Sequence, residues 1–179
     1  MLKVKALLFD VFGTVVDWRT GIAREVESVA KKNDISLDYF DFADAWRAEY
    51  QPAMEEIRKG RRSFTILDIL HMENLKKIAP KFNLHNISDE DFKFLVTAWH
   101  RLPGWPDSSE GLNALKKKYI LATQSNGNIA LIVNMAKFSN LNWDVILGAE
   151  VTGYYKPEPE AYLRACNAIN FKTEECLMV

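Results

Sequence analysis

The sequence predicts an α/β fold, a doubly wound parallel sheet interrupted by a long helical insertion, on three observations. Short apolar runs recur at 4–9, 119–127, 143–150 and 176–179. Stretches with helical spacing separate the last three of them. The interval 18–102 breaks that alternation and reads as helix almost throughout.

Taken in order, "VKALLFD" (4–10) is a buried strand ended by Asp10, with Gly13 supplying a tight turn. Within the insertion Ile22, Val26 and Val29 share a helical face, a second helix surrounds Trp46, and Pro52 predicts a kink. "TILDILHMENLKKIA" (65–79) continues the pattern, and Ser88 opens a further helix with Asp91 at the capping-box position. "RLPGWPD" (101–107), with two prolines and a glycine, returns the chain to the sheet. The second strand, "YILATQSNG" (119–127), leads into a helix with Ile129, Ile132, Val133 and Ala136 at helical spacing. "WDVILGAE" (143–150) reads as the third strand. After Pro157 a helix carries Tyr162, Cys166 and Ile169, and "CLMV" (176–179) is the last strand.

Lys and Arg number 23 against 24 Asp and Glu, a formal charge of -1, which gives no electrostatic reason to expect nucleic acid or an anionic membrane as partner. The basic run "RKGRR" (58–62) has no interleaved aromatics and reads as a solvated helix end. No apolar run approaches the ~18 residues of a membrane-spanning helix. Asp10 interrupts the N-terminal apolar stretch, and no small-residue cleavage site follows, so a signal peptide is not expected. Cys166 and Cys176 lack a CxxC spacing and read as buried free thiols, which makes a reducing cytoplasm the expected compartment. His71, His85 and His100 form no metal-ligand spacing, and neither a metal nor an organic cofactor is expected.

In open parallel sheets ligands bind at the carboxyl ends of the strands. Asp10 falls at one such end, with Thr14 placed to hydrogen-bond its carboxylate. Ser125 and Asn126 fall at a second, where Gly127 opens a helix whose free N–H groups suit an anion. Lys156 follows the third. Each has a plainer reading alone: a turn residue, a helix cap, a surface lysine. Their joint appearance at successive strand ends argues for one site.

"FDVFGTVVDW" (9–18), "SNGN" (125–128) and "YKPEPEAY" (155–162), in that order and with "TAWHRLPGWPD" (97–107), resemble motifs of the haloacid dehalogenase superfamily. Within it they are most similar to the L-2-haloacid dehalogenase (type II) branch, over essentially the whole chain. The resemblance implies a Rossmann-like core, 1–17 with 103–179, and a helical cap, 18–102. It implies hydrolysis of short L-2-haloacids to D-2-hydroxyacids through an ester on Asp10, without metal or organic cofactor. Ser125 and Asn126 would orient substrate and Asp10, Thr14 would contact the substrate, and Lys156 would neutralise charge around Asp10. Arg47, in "AWRAEY", matches the arginine that draws off halide, and its plain alternative is an exposed helix arginine. Tyr162 matches a position beside the site but is equally a natural core residue. Trp18 and Trp46 fit an apolar pocket wall or ordinary packing.

Phosphatases of the superfamily carry a second aspartate two residues after the nucleophile, to protonate the leaving alcohol. Here that position is Phe12. Halide leaves unprotonated, so its loss is compatible with displacement at carbon. Relatives continue past the position of Val179 with a fourth, acidic motif, and a truncated chain is the expectation, the alternative being that another residue or a partner subunit supplies that carboxylate. Two other functions stay open: a Mg²⁺-dependent phosphatase, and a chain with little or no turnover. A homodimer is compatible with the branch, whose members often pair.

Overall fold

The computed structural model describes residues 4–179. Strand β1 (Ala6–Phe9) is apolar and buried along its whole length. It is buried because it is central: it pairs in parallel with β2 (Ile120–Thr123) on one side and β3 (Cys176–Met178) on the other. Phe9 lies opposite Thr123 and Leu8 opposite Met178, so the carboxyl ends of the strands are level. Beyond them Gln124 N–H donates to the Phe9 carbonyl at 2.6 Å and Asp10 N–H to the Val179 carbonyl at 2.9 Å. This is the α/β, Rossmann-like arrangement that the alternating pattern predicts.

Between β1 and β2 the chain forms helices α1 (Trp18–Lys32), α2 (Tyr39–Ala48), α3 (Tyr50–Arg58), α4 (Leu67–Ile78) and α5 (Asp89–Val96), closed by a 3-10 turn at Thr97–Arg101. Their starts are set by side chains that accept otherwise unpaired N–H groups: Asp17 for α1, Asp38 for α2, Ser88 for α5. The kink expected at Pro52 is a break at Glu49, so that the proline, which has no N–H to give, sits in the first turn of α3. Ile22, Val26 and Val29 are buried as their spacing predicts, in one cluster with Leu7 and Phe9 of the sheet and Phe42, Trp46, Leu70 and Trp99 of the insertion. Helices α6 (Ser108–Leu115), α7 (Ile129–Phe138), α8 (Ala149–Thr152) and α9 (Pro159–Ala168) follow the return segment.

Three expectations need correction. Residues 143–150 form no strand beyond one isolated bridge, Ala122 to Val145. The Asp144 carboxylate takes the Leu121 N–H at 2.9 Å that a neighbouring strand's carbonyl would take, and the Thr123 hydroxyl exchanges bonds with Leu147 in place of a ladder. In α7 the buried face is Leu131, Ile132, Met135 and Ala136, with Ile129 exposed, because both sides of this helix are apolar and spacing alone does not select one. Helix α9 buries Ala161, Ala165 and Cys166 and leaves Tyr162 half-buried. Both cysteines are free, and burial together with the neighbouring Cys166 thiol pushes the half-buried Cys176 up to about 12. Among the described residues no helix is long and apolar enough to cross a membrane.

Candidate active site

Asp10 is the first residue past β1. Gly13, at φ +92°, takes a backbone conformation open only to glycine at low cost and folds the chain so that Thr14 faces Asp10. The Thr14 hydroxyl donates to Asp10 Oδ2 at 2.9 Å. Lys156 Nζ donates to Oδ1 at 2.7 Å. The Lys156 side chain is 14% exposed while that of Asp10 is 35% exposed, so a half-buried cation backs a carboxylate that can still be reached.

Lys156 is itself fixed through its main chain. Its N–H donates to Asn126 Oδ1 at 2.7 Å, and its carbonyl accepts from Arg58 at 3.1 Å. Arg58 is therefore no solvated helix end. Its side chain is buried against Glu55, Gln51 and Lys156, and Arg61 and Arg62 of the same basic run pair with Glu56 and Glu73.

Ser125 and Asn126 are buried in the turn after β2. Ser125 Oγ accepts the Gly127 N–H at 3.1 Å, and Asn126 Nδ2 points to Met54 Sδ of α3 at 3.4 Å. A Cβ on residue 127 would lie 2.8 Å from Ile132 and 3.2 Å from the Phe12 ring, so only glycine lets this turn pass so close to Phe12. Phe12 is buried edge-on against Trp99, at 5.9 Å between centroids. The position two residues beyond Asp10 thus holds an aromatic ring packed on the second motif, and no proton donor.

Arg47 comes from α2. Its guanidinium lies 3.8 Å above the Tyr50 ring and 5.6 Å from that of Trp18, and among the described residues it pairs with no carboxylate. Tyr50 is buried with Arg47 and Asn126 beside its hydroxyl. Burial pushes that hydroxyl above its ordinary pKa and the nearby Asp10 adds to this, which outweighs the opposite pull of Arg47 and Asn126. The phenol stays protonated. Tyr162, half-buried on α9, makes no hydrogen bond to these groups among the described residues.

Hydrogen bonds thus join Asp10 to Thr14 and Lys156 and Lys156 to Asn126, Ser125 adjoins Asn126 in the same turn, Arg47 stacks on Tyr50, and Tyr162 stays outside the hydrogen-bonded set. Sequence reasoning missed Tyr50 and Arg58. Tyr50 follows Arg47 by three residues, a helical-neighbour spacing that would have pointed to it. Nothing local distinguishes Arg58 from a surface arginine.

A family model described as haloacid dehalogenase-like hydrolase matches residues 4–179. Among curated proteins, the chain is 26% identical over 195 residues to (S)-2-haloacid dehalogenase 4A of Burkholderia cepacia, covering 99% of this chain and 74% of that protein. Among solved structures, the defluorinating L-2-haloacid dehalogenase Rha0230 superposes with a TM-score of 0.95 at 45% identity, covering 98% of this chain and 72% of the other. The L-2-haloacid dehalogenase PA0810 gives 0.92 at 38% identity, with 98% and 75% covered.

Proposed function

The chain belongs to the haloacid dehalogenase-like hydrolases, and from that premise we propose that it hydrolyses the carbon–halogen bond of short L-2-haloacids. The observation that carries this reading is the carboxylate of Asp10, reachable from solvent and held by Lys156 and Thr14, with Phe12 where an alcohol-leaving reaction needs an acid.

An Asp10 oxygen attacks C2 of the haloacid from the side opposite the halogen. The C–X bond breaks, halide leaves with its electron pair, and an ester joins Asp10 to an inverted C2. Water then adds to the Asp10 carboxyl carbon, the bond from that carbon to the ester oxygen breaks, one water proton passes to that oxygen and the other to solvent, and a D-2-hydroxyacid leaves as the Asp10 carboxylate is restored with an oxygen from water. Lys156 offsets the negative charge around Asp10. Ser125 and Asn126 receive the substrate carboxylate, with Thr14 at its edge, and Arg47 receives the halide; the start of α7 already holds the Glu150 carboxylate. Residues 18–102 act as a cap on a core of 1–17 and 103–179, and desolvate the nucleophile with Trp18 and Trp46. A phosphatase reaction finds no proton for its leaving alcohol at Phe12.

The test is chloride release from L- and D-2-chloropropionate without added metal, with Asp10→Ala as the blank. Sustained release from the L-form, with none from the blank, is the expected result. A single chloride per chain marks ester formation without its hydrolysis and removes turnover from the reading. No release from either form overturns it.

A further inference from the structure

Asn128 occupies the N-cap position of α7 but does not cap it: its side chain accepts no N–H from the first turn. An N-cap asparagine ordinarily does so. The Ile129 N–H goes instead to Glu150 Oε1 at 2.7 Å. The freed Asn128 amide reaches across to residue 68, in the first turn of α4. Its Oδ1 accepts the Asp68 N–H at 3.2 Å and its Nδ2 donates to Asp68 Oδ2 at 2.8 Å. One asparagine, 2% exposed, is thus satisfied by both the main chain and the side chain of one residue of the insertion.

The second oxygen of Asp68 is engaged as well. Oδ1 lies 2.9 Å from His100 Nε2, and His100 Nδ1 lies 2.9 Å from Asn134 Nδ2, back on α7. Since an amide N–H₂ can only donate, Nδ1 accepts and Nε2 carries the proton given to Asp68. Burial pushes the Asp68 carboxyl up, but the bonds from His100 and Asn128 outweigh it and hold the group below its ordinary range. Asp68 is therefore a charged hub joining α4, the return turn Thr97–Arg101 and α7.

Asn128 is two residues from Asn126, which holds the Lys156 N–H, and three from Ser125. Asn126 is also met by Met54 of the insertion. The turn 125–128 is consequently gripped at both ends from the helical insertion, and its own helix contributes no side-chain cap. We propose that Asp68 is a positioning residue: through Asn128 it holds the Ser125–Asn126 turn, and through Asn126 the Lys156 main chain, in register with Asp10. The kinetic half of this rests on the dehalogenase reading, and the structural half does not.

The decisive set is Asp68→Ala, Asp68→Asn, Asn128→Ala and the Asp68→Ala/Asn128→Ala double variant. Small displacements of a positioned group cost up to about 100-fold, and Asp68→Ala is expected to lower kcat by about 10- to 100-fold with KM little changed. Asp68→Asn keeps an oxygen for Asn128 Nδ2 and recovers most of that loss. The double variant is no worse than either single one, because the pair acts as a unit. A kcat for Asp68→Ala within about two-fold of the parent, or losses that multiply in the double variant, overturns the proposal. Hydrogen exchange of the peptide 124–130 reads the same clamp without any substrate. Faster exchange there in Asp68→Ala, with β1 and α1 unchanged, supports it, and unchanged exchange overturns it. A parent protein that releases no halide removes the reaction, while the exchange experiment still decides Asp68.

Discussion

The imidazole of His71 stacks on Trp99 at 4.3 Å between centroids, with Trp46 and Tyr50 around it, and neither ring nitrogen has a partner among the described residues. Burial lowers its pKa from 6.5 to about 3, Arg47 and His100 adding to the effect and Asp68 opposing it. Between those two values the unfolded chain binds a proton that the folded chain refuses. Stability therefore declines as pH falls below 6.5, by about 1.4 kcal/mol per unit while His71 alone titrates, and is fully present above it. Urea unfolding of the parent and of His71→Phe between pH 7 and 5 checks this: the slope flattens in the variant. His71 was invisible to sequence reasoning because a histidine on an apolar helical face looks the same whether partnered or not. Asp10, Thr14 and Lys156 were legible for the opposite reason. Asp10 ends an apolar strand and Thr14 lies one turn on, whereas Lys156 reaches the same crevice although residues 143–150 before it form no strand.

Whole elements were legible where a local rule decides them. Ser88 capping α5 and the buried face of α1 need only near neighbours in sequence. The missing strand at 143–150 depends on Asp144 folding back on Leu121, a contact across 23 positions that no window sees. The same is true of what ties α1 to the return turn. Glu25, 7% exposed, accepts from Arg101 at 2.7 Å and 3.0 Å and from Arg24 at 2.9 Å. Truncating it leaves two arginines facing a buried gap. Glu25→Ala is expected to destabilise by about 2–3 kcal/mol, below the full cost of breaking a buried pair because both arginines are partly exposed. Denaturant midpoints with an unchanged m-value measure it.

At the scale of the molecule, insertion and sheet share one apolar cluster, and polar contacts bind them beside the site: Met54 to Asn126, Arg58 to the Lys156 carbonyl, Asp68 to Asn128, and the Tyr155 hydroxyl to the Thr65 carbonyl. A helical insertion joined only by its two connections would unfold separately. This one is expected to unfold with the sheet in a single transition, so that tryptophan fluorescence and far-ultraviolet circular dichroism trace coincident curves. Two resolved steps would contradict the shared cluster. The order of these contacts along the chain has a further effect. Asp10 and Lys156 meet across 146 positions of chain. A chain growing from the ribosome presents this carboxylate well before the ammonium that pairs with it. The lysine is held in place by Asn126 and Arg58, each from a different part of the chain. A copy that has not brought these four segments together carries the aspartate without its paired cation.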